Sequence, residues 1–157
     1  MQLDMAQVAF PPGGRSLPLR LQGLAVATAC GALLAAAWSL SPQAGGTGTH
    51  VQMGLPGCSF LARTGYPCPS CGLTTSVSAA AHGQWDLSLS AQPFGLVLFV
   101  AAVGGALLGA AQAVTGRAMF RRLKPSWRWV WTGGLAMFTG WGVKLAAGLA
   151  DGSLPLR

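Results

Sequence analysis

Apolar residues in this chain come in three long blocks, with the polar residues gathered between them. The first block, LQGLAVATACGALLAAAWSL, covers residues 21–40. The second, FGLVLFVAAVGGALLGAAQAV, covers 94–114, and the third, WVWTGGLAMFTGWGVKLAAGL, covers 129–149. The first two carry no charge and the third carries only Lys144. About 20 apolar residues is the length at which a helix crosses about 30 Å of hydrocarbon. The pattern therefore predicts three transmembrane helices. The first block exceeds the roughly 7–15-residue core of a signal peptide, which favours a retained span over a cleaved leader.

The segments between the blocks complete the expected layout. Residues 1–20 include FPPGGRSLPLR, rich in proline and glycine with no usable period, and are expected to form a disordered cytoplasmic tail. Residues 21–157 then make a single membrane domain, with a cysteine segment at 57–93. Inside that segment GLTTSVSAAAHG predicts a short helix closed by Gly83. Asp86 is expected to cap a second short helix at LSLSAQ, before Pro93. Pro125 breaks the chain between blocks two and three, and Ser126 is a predicted N-cap for the third. The predicted fold is an all-α membrane protein: three transmembrane helices and an outer cysteine-bearing loop holding one or two short helices. Gly105 and Gly109 form a G-x-x-x-G pair in the second block. It predicts close approach of another helix, including self-association with a second copy.

Composition agrees with this reading and charge orients it. Of the 157 residues, 52% are hydrophobic and 8% charged, against about 25% charged in soluble domains. The lipid bilayer is the expected partner. The formal charge of +7 does not point to nucleic acid, because the bases flank apolar blocks and no binding motif accompanies them. Arg117, Arg121, Arg122, Lys124 and Arg128 fall between blocks two and three, whereas residues 41–93 carry only Arg63 and Asp86 as charges. Short basic loops stay cytoplasmic. The prediction is a multi-pass protein of the cell membrane with the N-terminus inside and the cysteine segment and C-terminus outside. Trp127, Trp129 and Trp131 then mark the inner interface of the third span. Lys144 lies about 22 Å along that span from Trp129. It either snorkels to the outer headgroups or tucks its charge under the cysteine segment.

The candidate chemistry is in GCSFLARTGYPCPSCGLTTS, residues 57–76, which holds three of the four cysteines. Three readings fit Cys58, Cys68 and Cys71. C-P-S-C at a helix N-terminus suits a redox dithiol, since the dipole and free amides there favour a thiolate. A disulfide from Cys58 to Cys68 or Cys71 would staple the loop and leave one thiol free. Three thiolates with His50 as fourth ligand would make a zinc site. His82, at the far end of the predicted helix, falls about 16 Å from Cys71 and is excluded as a ligand. Cys30, in mid-span, reads as a small apolar filler. No phosphate loop, nucleophile elbow or carboxylate pair is present, so the reading leans away from an enzyme and leaves the cysteines as the one candidate for chemistry. The primary expectation is a structural or partner-binding membrane protein with a disulfide-stapled outer loop. The alternative is a membrane thiol protein, acting in thiol–disulfide exchange or zinc binding.

The arrangement Cys58, Thr64, Gly65, Cys68, Pro69, Cys71, Gly72, Thr74, His82, Gly83 and Pro93 resembles a family of small bacterial membrane proteins, domain of unknown function 2752. The resemblance covers residues 58–93, and elsewhere only the hydropathy agrees. It implies a small multi-span inner-membrane protein and no particular reaction. The family pattern has Arg after the matched Thr and Asn before the matched Pro, where this chain has Thr75 and Gln92. An Arg-Asn pair late in the family's last span corresponds to Lys144-Leu145 here.

Overall fold

The computed structural model describes residues 16–122 and 126–152, and every regular element among them is helical. The three apolar blocks are the three long helices α1 (Ser16–Ser39), α5 (Pro93–Thr115) and α6 (Trp127–Ala150). Between α1 and α5 lie three short helices, α2 (Ser59–Thr64), α3 (Leu73–Ala81) and α4 (Trp85–Ala91). Two 3₁₀ turns, Thr49–Met53 and Met119–Arg122, complete the set. Helix α1 starts at Ser16, five residues ahead of the predicted block; the rest of the predicted tail, 1–15, lies outside the described residues, as does the predicted break at Pro125.

The main packing is α1 against α5, antiparallel along their length. At one end the buried Gln112 donates to the Leu19 carbonyl (2.9 Å) and the Gln22 Oε1 (3.2 Å), and accepts from the amides of Met119 (2.9 Å) and Phe120 (3.4 Å). In the middle the backbones nearly touch. A Cβ on Gly109 would lie 2.8 Å from Ala27 N and from Gly23 O, and one on Gly105 would lie 2.8 Å from Cys30 Sγ. The close approach expected at Gly105 and Gly109 is thus made to α1 of the same chain, so these glycines are taken up within the chain. Cys30 fills space opposite Gly105, as a small apolar residue does. At the other end Ser78 on α3 donates to the Leu40 carbonyl (2.6 Å), seating the short helices on the end of α1.

The interior is made of small and polar residues: Ala79, Ala80, Ala91, Thr75, Ser76, Ser88 and Gln92 are all buried. Large apolar side chains point outward, among them Leu107, Val100, Trp131 and Leu135. Water-soluble proteins arrange these classes the other way round. Helices that associate in lipid do so through small residues and interhelical hydrogen bonds, and the pattern is compatible with contact to a bilayer. By length and composition α1 and α5 can each cross a membrane. Helix α6 forms where the third span was predicted, but with Arg128, Lys144 and five glycines it falls short of that hydropathy. Two of the three predicted spans therefore qualify.

Local signals explain most of the ends. Ser126 caps α6, accepting from Arg128 N at 3.2 Å. Helix α3 ends at Gly83 (φ +73°), where Gly83 N and Gln84 N close on the carbonyls of Ala80 and Ala79. The Asp86 cap is corrected: α4 begins at Trp85 with Gln84 in the cap position, and Asp86 sits inside the first turn, favourable to the helix dipole.

Candidate thiolate site

Each sulfur is placed by its own piece of local structure. Cys58 is the N-cap of α2, and its Sγ accepts from Leu61 N at 3.4 Å. Helix α2 ends at Gly65 (φ +75°), and Tyr66 and Pro67 lead into Cys68. The C-P-S-C turn closes on itself through Cys71 N donating to Cys68 O at 2.9 Å. Gly72 (φ +91°) follows as the N-cap of α3. A Cβ here would collide with the Ala91 and Gly46 carbonyls and with Lys144 Nζ, so only glycine fits.

The result brings the Sγ atoms of Cys58, Cys68 and Cys71 within 4.8 Å of one another. Cys71 is buried; Cys58 and Cys68 are half-buried, and all four cysteines of the chain are free thiols. Cys68 Sγ lies 3.1 Å from Cys71 Sγ and 3.3 Å from Ser70 Oγ. A cleft of about 400 Å³ runs beside the turn, bordered by Gly46, Leu61, Pro67, Ser90 and Lys144.

The two thiols of the turn differ sharply in acidity. Burial pushes Cys68 up, but hydrogen bonds from Ser70, Cys71 and Cys58 outweigh it and bring the thiol down to about 7. Burial also pushes Cys71 up, and it keeps its proton as the donor to Cys68 and Cys58, ending at about 12. Above about pH 7 the pair therefore holds its negative charge on Cys68, the more exposed sulfur.

Three side chains grip the turn from outside. Trp141 Nε1 donates to the Pro67 carbonyl at 2.7 Å, Gln92 Nε2 to Pro69 at 3.0 Å, and Lys144 Nζ to Cys71 at 3.3 Å. Lys144 also donates to the Ala91 carbonyl, the last of α4, at 2.7 Å. Of the two expectations for Lys144, tucking under the cysteine segment is the one observed. Gln92 reaches the Met137 carbonyl on α6 at 3.5 Å, while its buried Oε1 has no partner among the described residues. Gln92 takes part in the site although the sequence marked it only as a departure from the family pattern. Nothing singled out Trp141, whose one signal is its place one turn before Lys144 on the same helix face.

The histidines lie apart from the sulfurs. His50 is not in the thiol cluster, and its Nε2 donates to the Pro56 carbonyl at 3.2 Å. His82 stacks on Trp38 with centroids 4.8 Å apart, its Nδ1 bonded to Ser78 O.

Residues 58–105 match the family model described as "Protein of unknown function (DUF2752)". This stretch, under a third of the chain, is similar to the DUF2752 family. The match starts at the first sulfur of the cluster and runs to Gly105, midway along α5. Within the matched stretch, the Cys, Pro and Gly positions build the thiol turn. The Thr75 that follows the matched Thr is buried and bonds Thr49 Oγ1 at 2.8 Å. No curated protein and no solved structure matches the chain.

Proposed function

We propose that this protein is a multi-pass membrane protein that binds a thiophilic metal ion at its outer face through Cys58, Cys68 and Cys71, with zinc the ion of choice. The observation that carries this is the convergence of three sulfurs from two separate turns. Zinc–sulfur bonds of about 2.3 Å in tetrahedral geometry put sulfurs about 3.8 Å apart, a spacing the 4.8 Å cluster accommodates with small side-chain shifts. Soft thiolates suit zinc or Cu(I) and discriminate against magnesium and calcium. When bound, the ion would lock the loop or act as a Lewis acid. The chain's own residues deliver the sulfurs: α2 presents Cys58, and the C-P-S-C turn presents the other two. The membrane part of the reading rests on the outward large apolar side chains and on α1 and α5. The sidedness rests on the basic loop.

A second reading is favoured by one specific contact, the 3.1 Å approach of Cys68 to Cys71. In thiol–disulfide exchange the Cys68 thiolate would attack a partner disulfide, forming a mixed disulfide and releasing one partner thiolate. Cys71 would then lose its proton and attack Cys68 Sγ, closing the intramolecular bond and releasing the second thiolate. Two electrons pass from the dithiol to the partner. Cys58 is needed by the metal reading and dispensable to exchange.

That difference sets the test. Native mass spectrometry of the purified full chain should show one zinc per chain and protection of all three thiols from alkylation. Cys58→Ser should lose the ion, while His50→Ala should keep it. A metal-free protein carrying a Cys68–Cys71 disulfide, with Cys58→Ser still active toward a model disulfide, would replace the first reading with the second.

A further inference from the structure

The grip on the thiol turn follows a rule. Carbonyls 67, 69 and 71 alternate with Cys68 and Ser70, and each accepts from a side chain, two of them on α6 and one at the α4–α5 junction. Two of the donors, Trp141 and Gln92, are neutral and the third is an ammonium. Lys144 Nζ lies 3.3 Å from the Cys71 carbonyl, on the same turn that carries the Cys68 and Cys71 thiols. Three thiolates and a divalent ion sum to −1, which is costly beside a membrane. One lysine brings the sum to zero. We infer that Lys144 is the charge-balancing and positioning residue of the thiolate site, acting through the Cys71 carbonyl it holds; this rests on the metal reading above.

A structural role alone would look different. Lys144 also caps the end of α4 through Ala91 O, and a neutral donor could do that equally well. Charge and hydrogen bonding must therefore be separated. Lys144→Gln keeps a donor and loses the charge; Lys144→Arg keeps both; Lys144→Met loses both. Arg63→Met, on α2, removes one positive charge elsewhere on the cysteine segment.

The experiment is a Co²⁺ titration of the detergent-solubilised full chain, reading the thiolate-to-cobalt charge-transfer absorption, with circular dichroism to confirm folding. The wild type should show the band. Lys144→Gln and Lys144→Met should weaken Co²⁺ binding at least about tenfold, the range found when a group supporting metal ligands is lost. Lys144→Arg should recover most of the affinity, and Arg63→Met should leave it unchanged. Lys144→Gln binding as tightly as the wild type would overturn the inference while leaving the metal reading intact. Equal losses in Lys144→Gln and Arg63→Met would also overturn it, by showing a general charge effect. Should Lys144→Met fail to fold, the Gln and Arg variants decide alone. A wild type with no charge-transfer band would instead sink the parent reading, a distinct result.

Discussion

At the scale of single residues, two thiols three positions apart have opposite characters. Cys68 is half-exposed and accepts from Ser70, whereas Cys71 is buried and donates. A thiol lowered to about 7 is mostly thiolate above that pH and mostly protonated below it. In metal-free, reduced protein, alkylation of Cys68 should therefore rise through pH 7 and level off. An ordinary thiol would do so only around 8.5. Cys71 should stay unreactive throughout that range. Ser70→Ala removes one stabilising hydrogen bond and should move the Cys68 inflection upward. Peptide-resolved alkylation rates from pH 5 to 9 decide this, and an inflection at 8.5 or above would refute it.

At the scale of elements, the α1–α5 contact is set by backbone rather than by large side chains. Gly109 touches backbone atoms of α1, which cannot rotate away as a side chain can. Gly109→Ala should push the helices apart and cost about 1–3 kcal/mol, the usual range for overpacking. Gly104, on the same helix, has nothing within 4 Å of its missing Cβ. Gly104→Ala should be neutral or stabilise by up to about 1 kcal/mol, since alanine is the better helix former. Unfolding in detergent, monitored by circular dichroism, would compare the two; equal effects would contradict this packing. Some of these elements were legible in the sequence. The apolar blocks marked the long helices, and Gly72 and Gly83 bracketed α3, because spans and caps leave local signals. Helix α2 was not legible, since its cap is a cysteine and its six residues carry no period. Nor was the grip of Trp141 and Gln92 on the turn. A side chain bonding a distant carbonyl leaves no spacing to read. The cluster itself was half legible: the residue types suggested three sulfurs together, but only folding removed His50 from the set.

At the scale of the whole molecule, the inverted arrangement of side chains ties structure to sidedness. Helices α1 and α5 run antiparallel, so Leu40 and Pro93 share one end with the cysteine turn, while Leu19 and Gly116 share the other. Trp141 and Lys144 bring α6 back to the cysteine end. Arg117 directly follows Gly116, at the end opposite the sulfurs, and the sequence adds four more bases by residue 128. A membrane that keeps those bases inside must place the thiol site outside. In intact cells, a membrane-impermeant maleimide should then label Cys68 once metal is stripped with a chelator and the thiols are reduced. A cysteine introduced by Thr115→Cys, next to the basic loop, should label only after permeabilisation. Cys30 packs against Gly105 in mid-span and should resist the reagent in both conditions. Labelling at Thr115→Cys in intact cells, with Cys68 silent until permeabilisation, would reverse the orientation. The sulfurs would then face a reducing interior, where disulfides are rare. Thiol–disulfide exchange would lose its oxidising partner, whereas zinc binding would stand, because it needs thiolates and no oxidant.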